Sequence, residues 1–386
     1  MSYLKFKSNN LFTGTEMLPE NYVLITNKSG VVESIIDEKD AGDEIQFFNG
    51  IITPGFINAH CHLELSHMKG LIPKHSGLVD FILKILALRH VEEDEILQAI
   101  KNGEDEMLAN GIVAVGDICN NALTITQKKK QRLAYYNFIE VSGWHPYIAT
   151  VRFEKSMQFA AQYSTLNNQF SLSPHAPYSV SNNLWDLLQP IFPNKTVTIH
   201  NQETNFENDL FINGTSDFVR MYRLLNIDTS FFEPTGKTSL KSYFQKMGSA
   251  KNVLLVHNTF TNEADLDFIQ SENLNTQQQT FFCLCVNANQ YIENALPPIQ
   301  LFRQHSLPIV LGTDSLASND TLSIVDEMKT ITKNFPNIPL QEILKWATIN
   351  GAIALQMNDK FGSFEKGKKP GVVLTNSEFS MVKRLV

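Results

Sequence analysis

The sequence predicts an α/β fold, a (β/α)8 TIM barrel carrying a small β-sandwich domain formed by the N- and C-terminal segments. Three observations lead there. Strand-like apolar runs recur about eight times with room for a helix between most of them, the count of a closed parallel barrel. The two ends of the chain instead read as short strands and turns. Histidines and acidic residues stand at the C-terminal ends of several runs, and in a parallel barrel those ends open on a single face. The expected divisions are residues 1–52 and 359–386 for the two parts of the small β-domain and 53–358 for the barrel.

The elements follow in order. From Tyr3 to Ile52, YVLIT, the turn NKSG, VVESII and the polar DEKDAGDE alternate and turn as a small β-element does. After Pro54-Gly55, IITPGFINAH ends the first barrel run. Glu92 to Asn110 carries apolar residues at Ile96, Ile100, Met107 and Leu108, which predicts a helix stopped at Gly111 before the strand IVAVGDI. The strand-like runs continue as AYYNFIEV, FSLSPHAPYSVS, VTIHNQET, VLLVHNTF, TFFCLCVNAN and IVLGTDS. Asn205 to Gly248, with FVRMYRLLNI at helical spacing, is an insertion above the barrel. Leu340 to Met357 has helical periodicity, and FGSFEKGKKPGVVLTN returns to strand and turn composition that rejoins the N-terminal strands. Lys128 to Lys130 read as a solvated helix face.

Composition narrows the function. A chain of 386 residues, 43% apolar and 19% charged, can bury a large core. A net charge of -8 offers no basic footprint, so the expected partner is a small-molecule substrate, with no nucleic acid and no membrane; a homodimer is neither required nor excluded. No long apolar segment occurs, and MSYLKFKSNNLF lacks the apolar core and cleavage site of a signal peptide, which points to the cytoplasm. Cys61, Cys119, Cys283 and Cys285 lie in or beside apolar runs and suit buried reduced thiols.

The chemistry starts at His60 and His62, whose two-residue spacing puts both imidazoles on one face of a strand. That is half of a metal site. His175 in SPHAP, His200 and Glu203 in IHNQE, His257 in LVHN and Asp314 in LGTDS end other runs and would converge on the pair. Three imidazoles and one carboxylate suit a borderline divalent ion, Zn²⁺ or Fe²⁺, with a position left for water. His145, beside Trp144 after the third barrel run, could line a pocket, or be locally hydrogen-bonded as His67, His75, His90 and His305 are expected to be.

These motifs together resemble the amidohydrolase superfamily, in the branch of metal-dependent aminohydrolases that holds cytosine, guanine and adenosine-derivative deaminases and the triazine chlorohydrolases. The resemblance spans PGFINAHCH, SPHAPYSVS, IHNQET, LVHN, LGTDS and the closing FGSFEKGKKPGVV. It implies that His60, His62, His200 and Asp314 hold one metal ion while Glu203 and His257 contact water and substrate. Binuclear relatives use a carboxylated lysine at the fourth strand; here His175 stands in that run, so one ion is expected and His175 is free for substrate. Two departures stand out. The usual histidine-leucine-alanine-glutamate run reads His200-Asn201-Gln202-Glu203, an expected change in pocket lining, and Gly371 replaces an acidic residue in the last strand region. CVNAN lacks the family's proline and serine, leaving Asn287 and Asn289 as either pocket amides or loop caps.

The implied reaction is hydrolytic deamination. A bound ion makes hydroxide available near neutrality, Asp314 collects the proton, Glu203 protonates a ring nitrogen, and His257 orients the hydroxide. Trp144, His175, Glu64 and Asn289 are the candidate substrate contacts. Glu64, two residues past His62, would face the same strand end and accept hydrogen bonds from a sugar diol or exocyclic amine; the alternative is a carboxylate satisfied by backbone or a basic side chain. The HCHLE run also resembles the aminofutalosine deaminases, which implies an adenine-type nucleoside substrate, 6-aminodeoxyfutalosine on the route to menaquinone being the candidate. Two rival readings are a dechlorinase or cyclic amidase on the same site, and a metal-free binding or assembly protein on the same fold.

Overall fold

A computed structural model describes residues 3–166, 169–276 and 278–386; Met1 and Ser2 of the N-terminal run lie outside the described residues. The barrel strands are β1 (Phe56–Cys61), β2 (Ile112–Cys119), β3 (Ala134–Val141), β4 (Gln169–Pro174), β5 (Thr196–Asn201), β6 (Asn252–His257), β7 (Gln279–Leu284) and β8 (Ile309–Leu311). They pair in sequence as two parallel four-stranded ladders, β1 to β4 and β5 to β8. Two seams close the ring, and both are tied at the ends that carry candidate ligands. The His200 amide donates to the His175 carbonyl at 3.0 Å, and the Asp314 amide donates to the His60 carbonyl at 3.1 Å. Gly312 permits the second approach, because a Cβ there would lie 2.8 Å from the His60 Cβ.

Alternation along the strands sorts two cores. Val253 and Leu255 of β6 pack with residues of the surrounding helices such as Met328 and Leu344, whereas Leu254 and Val256 join Ile57, Phe138, Cys283 and Val310 inside the ring. Both faces are therefore covered, which is why these strands read as near-continuous apolar runs. All four cysteines are buried free thiols.

The chain ends form one seven-stranded sheet, in which Ile45–Pro54 pairs parallel with Tyr3–Phe12 and antiparallel with Val372–Thr375. Each face carries its own apolar cluster: Phe6, Leu24 and Ile52 on one, Val23 and Ile25 on the other. The strand Ile45–Pro54 runs across the expected division at residue 52 and enters β1 directly. The helix Glu93–Ala109 stops ahead of Gly111, whose φ of +78° suits a glycine. The expected C-terminal helix is two, Leu340–Ala347 and Ile349–Ala354, broken at Thr348. The insertion folds as Phe206–Asn213, Asp217–Leu224 and Ser239–Tyr243.

One reading is overturned. Lys129 and Lys130 are exposed, but Lys128 is fully buried. Its Nζ lies 2.5 Å from Asp117 Oδ2, donates to Asn137 Oδ1 at 2.7 Å, and sits 4.9 and 5.0 Å from the ring centres of Tyr135 and Tyr163. A buried carboxylate on β2 requires a counter-charge, and the nearest residue of the lysine run supplies it.

Candidate active site

The ring nitrogens of β1 and β5 meet at the barrel mouth. His62 Nε2 lies 3.1 Å from His60 Nε2 and 3.3 Å from His200 Nε2, while Asp314 Oδ1 lies 3.5 Å from His60 Nε2 and 3.3 Å from His62 Nε2. A tetrahedral ion with bonds of about 2.0–2.1 Å spaces its ligand atoms about 3.3–3.4 Å apart, and these four separations are close to that length. Ligand atoms of His60, His200, His257 and Asp314 also all fall within 4.8 Å of one another.

The donor chemistry fits a cation as well. His200 Nδ1 is held by the His175 carbonyl at 2.7 Å and His257 Nδ1 by Asn289 Oδ1 at 2.7 Å. With the proton fixed on Nδ1, each Nε2 turns a lone pair inward, the state in which imidazole binds metal. Burial holds the rings neutral, pushing His62 down to about 3 and His257 to about 4. Ser318 Oγ donates to Asp314 Oδ2, leaving Oδ1 for the cage. Opposed lone pairs at 3.1–3.3 Å repel one another, and a divalent ion at their centre satisfies them together.

Glu203 stands beside the cage with Oε1 3.5 Å from His257 Nε2 and 4% exposure. Burial first, and the Asp314 carboxylate next, raise its pKa well above the usual carboxylate range. It is therefore placed to hold a proton next to the metal position. His257 and Asp314 take positive φ, +73° and +59°, which turns both side chains off their strand ends into the mouth.

His62, His175, His200, Glu203, His257 and Asp314 all line one cavity of about 210 Å³. Its far wall is the helix Leu78–Leu88, which no pattern in the sequence had singled out, with Leu78, Phe81, Ile82 and Ile85 facing in and Arg89 at its end. Glu64 lines it too. Its Oε2 accepts from the Asn120 amide at 3.0 Å and its Oε1 lies 3.8 Å from Arg89 Nη2 without a hydrogen bond, so backbone and a basic side chain face this carboxylate at the cavity wall. Glu140, at the end of β3, also lines the cavity and leaves Oε2 buried and unpartnered. Burial raises both carboxyls to about 7. Glu140 was missed because it alternates with apolar neighbours like any strand residue; its place at a strand end was the available signal.

Two expected substrate contacts lie elsewhere. Trp144 stacks on Tyr222, centroids 5.3 Å apart, and lines a separate cavity of about 500 Å³ with Phe231 and Phe232 of the insertion. Its chain turns away after β3 because Gly143 is tied to the Ser179 and Ser181 backbone. Asn289 is fully buried and holds His257, so it positions the imidazole without lining the cavity. Asn287 lies in the first turn of the helix Val286–Glu293, where its backbone N–H donates to Glu327 Oε2 at 3.1 Å and its Oδ1 accepts from Thr330 at 2.6 Å. Asn201 and Gln202 do not line the cavity either; both side chains point out of it into a buried polar network.

The amidohydrolase family model matches residues 51–384. An adenosine deaminase of Helicobacter pylori is 27% identical over 336 residues, covering 84% of this chain and 78% of that protein. A 5'-deoxyadenosine deaminase of Methanococcoides burtonii is 24% identical over 361 residues, covering 88% and 76%. Among solved structures, Helicobacter pylori aminofutalosine deaminase in complex with methylthio-coformycin matches with a TM-score of 0.79 at 22% identity, over 97% of this chain and 92% of that one. Atrazine chlorohydrolase TrzN from Arthrobacter aurescens complexed with zinc matches at 0.73 and 14% identity, over 97% and 87%. The family match runs from the strand ahead of β1 to the last strand of the terminal sheet, and this chain belongs to the amidohydrolase family.

Proposed function

We propose that this protein is a metal-dependent hydrolytic deaminase of an adenine-type nucleoside, with 6-aminodeoxyfutalosine as the candidate substrate. The observation that carries the reading is a protonatable, buried Glu203 set 3.5 Å from His257 beside a cage of metal-ligand atoms. The adenosine and 5'-deoxyadenosine deaminases among the relatives support the substrate class.

His60, His62, His200 and Asp314 would hold one Zn²⁺ or Fe²⁺. When bound, such an ion lowers the pKa of a water from 15.7 to about 7. Asp314, steadied by Ser318, would serve as the proton acceptor for the attacking water, and His257 Nε2 would accept a hydrogen bond that aims that water at the amino-bearing ring carbon. Glu203 delivers its proton to the adjacent ring nitrogen, so negative charge does not accumulate as that carbon becomes tetrahedral. Asp314 would pass its proton to the amino group, which leaves as ammonia, and Glu203 would take back the hydroxyl proton as the carbon becomes a carbonyl. Glu64 Oε1, which Arg89 faces without a hydrogen bond, and the unpartnered Glu140 Oε2 accept hydrogen bonds from the sugar hydroxyls, which would otherwise be buried without acceptors.

The test is a screen of metal-loaded protein against amino-purines, amino-pyrimidines, adenosine derivatives and 6-aminodeoxyfutalosine. Ammonia release and the ultraviolet change from adenine to hypoxanthine are the readouts. Turnover of 6-aminodeoxyfutalosine would put the protein on the route to menaquinone. Ammonia from guanine or cytosine alone would end the nucleoside reading. Chloride released from a triazine, with no ammonia from any amine, would favour the dechlorinase reading suggested by the likeness to TrzN.

A further inference from the structure

His200 and Glu203 both face the cavity, yet they are three residues apart. A regular strand cannot do this, because residues at i and i+3 point to opposite faces. The chain breaks its alternation at Gln202, whose φ of +46° is left-handed backbone that a residue with a Cβ adopts only under constraint.

The constraint is visible in full. Gln202 is 0% exposed, and its side chain makes all four hydrogen bonds a carboxamide can make. Nε2 donates to Asp265 Oδ2 at 2.7 Å and to Asn208 Oδ1 at 3.1 Å. Oε1 accepts from Thr261 Oγ1 at 2.7 Å and from Asn201 Nδ2 at 3.3 Å. Its backbone is used as well: the N–H donates to Glu207 Oε1 at 3.0 Å, and the carbonyl accepts from the Phe260 amide at 3.0 Å. The partners come from the insertion helix Phe206–Asn213 on one side and from the segment following β6 on the other.

We propose that Gln202 is a positioning residue: its fully saturated carboxamide clamps the left-handed turn that returns Glu203 to the metal side of the cavity. The inference deepens the proposed role of Glu203 and rests on it for its kinetic consequence, though not for its conformational one. The two positions where this chain departs from the usual leucine-alanine pair thus act behind the pocket, on the geometry of the acid, and not on pocket lining.

Alanine and glycine at this position separate the clamp from ordinary packing. Gln202→Ala removes the four bonds and keeps the Cβ that disfavours positive φ. Gln202→Gly removes the same bonds and also the Cβ penalty. At an ordinary buried site alanine is the better tolerated of the two; here the order should invert. We expect Gln202→Ala to keep about one metal per chain and KM within about twofold, while kcat falls about tenfold to a hundredfold from misplacement of Glu203. Gln202→Gly should melt at a higher temperature than Gln202→Ala and recover at least about threefold in kcat. A glycine variant that melts below the alanine variant, or an alanine variant with unchanged kcat, overturns the proposal. The melting order requires no substrate, so it tests the left-handed turn even if the nucleoside reading fails.

Discussion

Glu203→Gln tests the chemistry most directly. Glutamine preserves shape and hydrogen-bonding reach but cannot deliver a proton to a ring nitrogen. Positioned acid–base groups contribute about 10²–10⁴-fold, which is about 2.7–5.4 kcal/mol at about 1.36 kcal/mol per decade. The upper half of that range is expected here. Glu203 is only 4% exposed, so solvent water is poorly placed to substitute as a donor, and burial with Asp314 nearby raises the native carboxyl well above the usual carboxylate range. Metal content should not change, because the cage is complete in His60, His62, His200 and Asp314 without it. The assay pairs kcat from the adenine absorbance change with metal per chain by plasma mass spectrometry. A variant within tenfold of the parent kcat removes Glu203 as the acid; a variant that loses its metal makes Glu203 a ligand and refutes the assignment of roles.

Stripping the metal with a chelator should lower the melting midpoint, and adding Zn²⁺ should restore it, by about 4 kcal/mol at a thousandfold excess over Kd; an unchanged midpoint would mean the four converging atoms hold no ion. Lys128→Met leaves the fully buried Asp117 without its counter-charge and should cost about 3–5 kcal/mol, a drop of about 4–6 °C for a chain of this length by calorimetry; adding Asp117→Asn should recover part of it. Burial lifts the Glu207 carboxyl to about 7, above its ordinary 4.5. The unfolded chain therefore ionises first, and this residue's contribution to stability falls as pH rises from about 4.5 to 7, by about 3 kcal/mol in all. Glu207→Gln keeps an oxygen for the Gln202 amide and should flatten that part of the denaturation profile.

The barrel, and the convergence of polar side chains at its mouth, were legible for a common reason. His60, His62, His200 and Asp314 are polar groups at the ends of apolar runs, where burial is costly without a task, so pattern and chemistry pointed the same way. Lys128 was misread because it ends a short helix and its partner is on the preceding strand: a lysine within KKK carries no mark of Asp117, eleven residues earlier in the chain. Trp144 failed similarly, since proximity in sequence to β3 says nothing of the turn that carries the ring over to Tyr222. Arg89 and the helix Leu78–Leu88 reach the cavity only through the fold, and their spacing is that of any amphipathic helix end.

The site is concentrated where local rules break. Gln202, His257, Asn258 and Asp314 all hold positive φ without being glycine: Gln202 and Asn258 follow directly on β5 and β6, His257 ends β6, and Asp314 lies three residues past β8. Period-2 reasoning carries a side chain to the mouth of the barrel but cannot turn it, so the sequence pattern names the ligands and stays silent on how they converge. The turning is done by buried amides and hydroxyls behind the cavity: Gln202 against Asp265, Asn258 to the Leu255 carbonyl at 2.7 Å, Ser318 on Asp314. Each strained conformer costs about 1–3 kcal/mol and persists only where its surroundings over-determine it. Substitutions in that polar shell should accordingly disturb turnover before they disturb the fold, which is the opposite of what their burial alone would suggest.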